Sequence, residues 1–125
     1  MIDQPRRVLL IQPQWPARAL LKAELEERGF DVLGADSVGL ASRLCMERGF
    51  RPDLLVVDAV GLALTEGDLR EITFLRGRVP LVLLTSGQYV DQAAAGLAPD
   101  VTIRRPTTVG ELAQTVERVL SSGSP

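Results

Sequence analysis

The 125-residue chain contains no histidine, and this absence removes several kinds of functional site at once. A histidine-ligated metal centre, a catalytic triad built on imidazole and a histidine pH switch are all excluded. The single cysteine, Cys45, rules out an internal disulfide framework and is typical of a protein in the reducing cytosol. We therefore expect a cytoplasmic protein with a buried, inert thiol at Cys45.

The chain also lacks a strong charge of one sign and a long apolar segment. Fourteen Lys and Arg residues against sixteen Asp and Glu residues give a net charge of −2, and no basic cluster suggests nucleic-acid binding. No apolar run approaches membrane-spanning length, and the N-terminus has no signal-peptide core. With 46% hydrophobic residues, we expect one globular domain over residues 1–120 and a flexible tail or linker start over 121–125.

Three short and wholly apolar runs dominate what is present. They cover residues 8–11, 54–57 and 81–84, and the second and third lead directly into Asp58 and Thr85. Runs of this length are typical of strands buried on both faces of a parallel sheet. Two more polar runs, at 30–35 and 100–104, predict edge strands, and helical patterns fill the intervals. The alternation predicts an α/β, flavodoxin-like (βα)5 sheet with strand order 2-1-3-4-5.

Helix boundaries are marked by capping residues and glycines. Asp36 or Ser37 is placed to cap the second helix, and the pairs Thr65/Asp68 and Thr108/Glu111 have capping-box spacing. Helix ends are expected at Gly29, Gly49 and near Gly77. Helical spacing predicts buried faces. Trp15 is expected to pack over the first helix, with the covering of a partner site as the alternative. These faces comprise Leu20, Leu21 and Leu25; Leu40, Ala41, Leu44 and Cys45; Leu69, Ile72 and Phe74 or Leu75; and Leu112, Val116, Val119 and Leu120.

The predicted strand order brings the loops after the first and third strands together, with Asp58 between them. In open α/β sheets this edge is where ligands bind. The first loop reads Gln-Pro-Gln-Trp-Pro over residues 12–16, and its two prolines lack N–H groups. The chain has neither G-x-G-x-x-G nor G-K-[ST], so a phosphate cradle for a flavin or nucleotide is not expected.

Four segments in register point to a known family. They are Pro-Asp-Leu-Leu-Val-Val-Asp at 52–58, Leu-Val-Leu-Leu-Thr-Ser at 81–86, Arg105-Pro106 before the last helix, and the spacing from Gln12 through Arg18 to Gly29. Over nearly its whole length the chain resembles the receiver domain of bacterial two-component response regulators. The resemblance implies that Asp58 occupies the position of the aspartate that a histidine kinase phosphorylates. It also places Thr85 and Arg105 where the family has a switch hydroxyl and a lysine that contact the phosphoryl group.

The chain departs from that family at several positions. Gln12 and Pro13 stand where two acidic residues help to hold Mg²⁺, Arg105 replaces the lysine, and Thr102 falls at the position of the strand-five aromatic residue. The loop after Asp58 also lacks the usual proline. Two unit charges about 4 Å apart interact by about 4 kcal/mol at an effective dielectric of 20, so losing both carboxylates weakens metal binding. We expect weak or absent Mg²⁺ binding and no other cofactor.

These departures suggest a local hypothesis. Arg105 pairs with Asp58 and takes the place of both the metal and the lysine, which holds the domain in one conformation without phosphate. A plainer interpretation remains open at this stage. Asp58 then only accepts hydrogen bonds from loop N–H groups, Thr85 bonds to nearby backbone, and Arg105 reaches into solvent.

The resulting prediction is a degenerate receiver domain that acts as a signalling and interaction module and is not an enzyme. The resemblance implies a homodimer, or docking to an effector domain or a histidine kinase, through a surface that includes Tyr89, Val90 and the outer side of the last helix. Two alternatives stay open. One is a working receiver that is phosphorylated on Asp58, and the other is an unrelated flavodoxin-like enzyme that binds a small ligand.

Overall fold

A computed structural model describes residues 4–60, 62, 64–86 and 96–122. Among these residues no helix combines the length and the apolar character needed to cross a membrane. The alternation also predicts a short, alanine-rich helix at 89–95, and this segment lies outside the described residues. The last helix ends at Ser122, two residues into the segment expected as a tail.

The elements in chain order are β1 (Arg7–Ile11), α1 (Trp15–Glu27), β2 (Asp31–Ala35), α2 (Val38–Arg48), β3 (Leu54–Asp58), α3 (Glu66–Arg76), β4 (Leu81–Thr85), β5 (Val101–Arg104) and α4 (Val109–Ser122).

The five strands form one parallel sheet in the order β2-β1-β3-β4-β5. This arrangement confirms the predicted flavodoxin-like fold. The strand order could be predicted from hydrophobicity because the most apolar strands need cover on both faces. All five residues of β3 are buried, whereas β5 is only partly buried at alternate positions. In the register of the central strands, Leu10 lies opposite Val56, and Val56 lies opposite Val82.

Helices cover both faces of the sheet. Successive side chains of a strand point to opposite faces, so each central strand contributes to two hydrophobic cores. Strand residues Leu9, Leu55 and Leu81 pack in the core that includes Ala41 of α2 and Ile72 of α3. On the other face, strand residues Val8, Val56 and Val82 pack in the core that includes Leu21 and Leu25 of α1 and Val116 and Leu120 of α4.

The predicted caps are present. The Ser37 hydroxyl accepts a hydrogen bond from the Leu40 N–H at 3.2 Å. Thr65 and Asp68 form a reciprocal capping box, with donor–acceptor distances of 3.0 and 3.1 Å. Thr108 and Glu111 do the same at 3.1 and 3.4 Å before α4. Gly49 follows α2 with φ near +60°, a conformation that glycine adopts without the steric cost of a Cβ atom.

Two predictions of buried apolar side chains were wrong. Leu20 is 61% exposed, and Trp15 is 68% exposed instead of packing over α1. Of the pair Phe74 or Leu75, Leu75 packs against the core and Phe74 is 79% exposed. The reason is geometric, because α1 faces the sheet with Leu21 and Leu25, and Leu20 is rotated about 100° away from Leu21.

Cys45 lies on the buried side of α2 and is 7% exposed. Burial raises the pKa of the Cys45 thiol, because desolvation disfavours the thiolate. A protonated, enclosed thiol reacts slowly, which agrees with the inert role that the sequence predicts.

Two residues of α3 provide a matched test of this packing. Ile72 is fully buried and Phe74 is 79% exposed. We expect Ile72→Ala to lower the free energy of unfolding by about 2–5 kcal/mol, because it leaves a cavity in the core. We expect Phe74→Ala to change it by less than about 0.5 kcal/mol. Urea denaturation followed by circular dichroism measures both values, and equal losses would contradict the described orientation of α3.

Candidate functional site

The site lies at the carboxyl edge of the sheet, where Asp58 ends β3 and is only 1% exposed. Gln12 follows β1 and is 2% exposed, Thr85 ends β4, and Arg105 follows β5. Backbone hydrogen bonds continue the sheet past the strand ends and hold these residues in place. The Gln12 N–H donates to the Ala35 carbonyl at 2.9 Å, and the Arg105 N–H donates to the Thr85 carbonyl at 2.8 Å.

Both carboxylate oxygens of Asp58 have partners within the chain. Oδ2 accepts from Nε2 of Gln12 at 3.1 Å and forms an ion pair with Nη2 of Arg105. Oδ1 accepts from the Val60 N–H at 2.9 Å, so the loop after β3 folds back over the acid. The Asp58–Arg105 pair suggested by the sequence is therefore present in the structure, and one backbone N–H bond of the plainer interpretation is present beside it.

Gln12 turns its amino group, not its carbonyl, toward Asp58. From the sequence alone, the side-chain carbonyl oxygen of Gln12 could serve as an uncharged ligand for a cation. Because a carboxylate accepts hydrogen bonds and does not donate them when ionised, the amide NH₂ is the end of the side chain that satisfies it. Among the described residues, Gln12 Oε1 and Arg105 Nε are buried without a hydrogen-bond partner.

Arg18 is a residue of the site that the sequence reasoning missed. Its Nη1 donates to the Gln12 carbonyl at 2.7 Å and approaches the Pro13 carbonyl at 3.5 Å. The stem of Arg18 passes close to β2, where a Cβ atom placed on Gly34 would lie 3.5 Å from its Cγ and Cδ. The available signal was its place in the first turn of α1, since helical side chains point back toward the N-terminus and thus toward the loop after β1.

The other predicted residues are placed as follows. Pro13 is partly buried beside Gln12, and Thr102 is exposed on β5. Tyr89 and Val90 lie outside the described residues. The outer side of α4 includes Gln114 and Arg118, both exposed. Within the described part of the chain, no group of three or more His, Cys, Asp and Glu side chains is arranged to hold a metal ion.

No family model and no curated protein matches the chain. Solved structures do, and several of them are receiver domains. The signal receiver domain of a modulated diguanylate cyclase from Desulfovibrio desulfuricans G20 is 28% identical, with a TM-score of 0.71 over 96% of each chain. A response regulator receiver domain protein from Clostridium thermocellum is 23% identical, with a TM-score of 0.74 over 94% of this chain and 95% of that chain.

A third similar structure is the receiver domain of a sensor histidine kinase from Pseudomonas aeruginosa PAO1. It was solved with a magnesium ion coordinated in its active-site cleft, is 21% identical, and has a TM-score of 0.72 over 94% of this chain and 98% of that chain. TM-scores above 0.7 over nearly the whole of each chain show a shared fold. The structural neighbours of this chain are therefore response regulator receiver domains, as the sequence resemblance implied.

A double-mutant cycle tests the ion pair. Arg105→Ala leaves a buried carboxylate without its cation, and we expect it to lower the free energy of unfolding by about 1–3 kcal/mol. This loss is smaller than that for a fully buried pair, because the Arg105 side chain is 32% exposed. The same substitution made in an Asp58→Asn background is expected to cost clearly less. Urea denaturation of the four proteins gives the coupling energy.

Arg104 provides the control for that cycle, because it is exposed and adjacent in sequence. Arg104→Ala is expected to show no coupling to Asp58→Asn. A coupling energy near zero for Arg105 would contradict a stabilising ion pair at this position.

Proposed function

We propose that this chain is an atypical receiver domain that works as a protein-interaction module in signal transduction, without the standard Mg²⁺-dependent phosphorylation of Asp58. The observation that carries the proposal is the enclosure of Asp58 by Arg105 and Gln12, which occupy the positions of the family's lysine and of one of its metal-binding acids. The domain then presents one conformation to its partners without a phosphoryl group.

The donor set supports the absence of a standard magnesium site. Mg²⁺ prefers carboxylate oxygens in octahedral geometry. Of the two positions after β1, Gln12 directs an NH₂ group toward Asp58, and Pro13 has no side-chain oxygen. The Arg105 guanidinium already supplies a positive charge to Oδ2, so a divalent cation there would face electrostatic repulsion. The residues at this edge do not fit a carboxylate-held Mg²⁺ ion.

The accessibility of Asp58 supports the same conclusion. A carboxylate that attacks a phosphoryl donor needs a free oxygen and an approach path, and phosphoryl transfer needs cations to offset the charge of the moving group. Asp58 is 1% exposed, and three donors hold its two oxygens. Attack would require breaking at least one of these contacts before reaction.

The names of two fold neighbours support the proposal of partner binding. Two of them are parts of larger signalling proteins by name, a sensor histidine kinase and a modulated diguanylate cyclase. We propose that this chain likewise contacts another protein or domain, an effector or a histidine kinase, in the cytoplasm. The proposed function is therefore recognition of a protein by surface contacts and not catalysis.

Phosphorylation is tested by incubating the protein with Mg²⁺ and acetyl phosphate and measuring its intact mass. We expect no substantial stoichiometric gain of a phosphoryl group by the wild-type chain. The triple variant Q12D, P13D and R105K restores two acids and the lysine and releases Asp58. We expect it to gain one phosphoryl group and to unfold at a higher temperature when Mg²⁺ is added.

The control is Asp58→Asn in the triple variant, which should abolish the gain in mass. Stoichiometric phosphorylation of wild-type Asp58 would contradict the proposal and favour a working receiver with an unusual metal site. This arm of the experiment does not depend on whether the triple variant folds.

A further inference from the structure

The outward side of α1 is unusually apolar. Five exposed residues follow one another along its first three turns, and we call them the outer α1 face. Trp15 is 68% exposed and Leu20 is 61% exposed, although α1 already buries Leu21 and Leu25 against the sheet. The outer α1 face comprises Trp15, Pro16, Ala19, Leu20 and Ala23.

A surface helix normally carries charged and polar residues opposite its buried stripe. With about 100° per residue, the five positions of the outer α1 face cover roughly 140° of the helix surface, opposite Leu21 and Leu25. At the centre of this arc lie the small residues Ala19 and Ala23, with the larger Trp15 and Leu20 at its two sides. Contiguous apolar surface rather than one exposed side chain is what marks an interaction site.

Within Trp15–Glu27 the ends of α1 carry no charges that favour its dipole, although the C-cap residue Arg28 is basic and pairs with Glu24 and Glu117. No acidic residue lies in its first turn and no basic residue lies in its last turn, and the Gln14 side chain makes no capping hydrogen bond. Glu26 and Glu27 instead follow the outer α1 face near the C-terminal end, where the macrodipole is negative. An antiparallel neighbour with the same sequence would place each helix's acids beside the positive, uncapped end of the other.

We propose that a second copy of this chain docks on the outer α1 face and forms a two-fold symmetric, antiparallel helix pair. In the register that brings Glu27 beside Trp15 of the second copy, Ala19 faces Ala23 of the second copy. Small side chains at the crossing allow the helix axes to approach to about 8 Å, the close end of helix packing. Trp15 and Glu27 are twelve residues apart, about 18 Å along the axis, so each end of one helix meets the opposite end of the other.

This proposal rests on the interaction role proposed above and adds a second copy of the chain to its partners. Its test does not involve phosphorylation, so each can fail while the other stands. One helix against one helix buries less than the roughly 1,200 Å² that marks the lower limit of standard interfaces. We therefore expect a weak, reversible dimer that forms as the protein concentration rises. The symmetry is isologous, which closes the assembly at two copies.

Trp15 is the only tryptophan, so its fluorescence reports directly on this face. We expect its emission maximum to move to shorter wavelength as concentration rises, in parallel with dimer formation in sedimentation velocity. Leu20→Glu should abolish both changes. Phe74→Glu is the matched control, because Phe74 is 79% exposed on α3, on the opposite face of the sheet, and should leave association unchanged.

The register is tested by cross-linking. Cys45 is the only cysteine, so Cys45→Ala provides a background for the single variants Ala19→Cys and Ala23→Cys. Mixing the two variants under mild oxidation should give a disulfide-linked heterodimer faster than either variant links to itself.

Three results would overturn the proposal. The first is a wild-type chain that stays monomeric at every concentration, which would leave the outer α1 face to another partner. The second is association that Phe74→Glu abolishes and Leu20→Glu does not, which would indicate the groove lined by Met46 and Phe74. The third is cross-linking of the mixture no faster than that of the separate variants.

Discussion

A single buried carboxylate determines how the carboxyl edge of this sheet is built. Removing an ionised acid from water costs several kcal/mol unless charge and hydrogen bonds replace the lost hydration. Asp58 receives that replacement from three separate segments: the Gln12 amide, the Val60 N–H and the Arg105 guanidinium. The residues after β1 and β5 therefore both contribute to the enclosure of this one negative charge.

The strand order makes this enclosure possible. Because β1 and β3 are neighbours, Gln12 stands next to Asp58, and because β4 and β5 are neighbours, the Arg105 N–H reaches the Thr85 carbonyl. Several carboxylates at this edge of a sheet would need a bound cation to balance their charge. Here the guanidinium of Arg105 supplies the positive charge beside Asp58. In the function we propose, that difference separates a domain that responds to a metal and a phosphoryl group from one that keeps one state.

Much of this arrangement could be predicted from the sequence, and the failures concern side chains of α1. Strand burial and the caps at Ser37 and Thr65 follow from local patterns. The strand order brings the segment after β5 to the edge where Asp58 lies, and the family resemblance singles out Arg105 there. The exposure of Leu20 and Trp15 could not be predicted, because a helix with apolar residues on two sides gives no periodic signal that says which side faces the sheet. The bond from Arg18 to the Gln12 carbonyl depends on a side-chain path over Gly34, which spacing alone does not reveal.

The attachment of Arg105 has a mechanical consequence. Its backbone N–H is held by β4 and its guanidinium by β3, and Thr108, the cap of α4, follows only three residues later. The start of α4 is therefore tethered to two strands through one residue. Tilting α4 relative to the sheet would strain the contacts of Arg105 with Thr85 and Asp58. A protein that binds α4 and moves it would therefore transmit force to the centre of the domain.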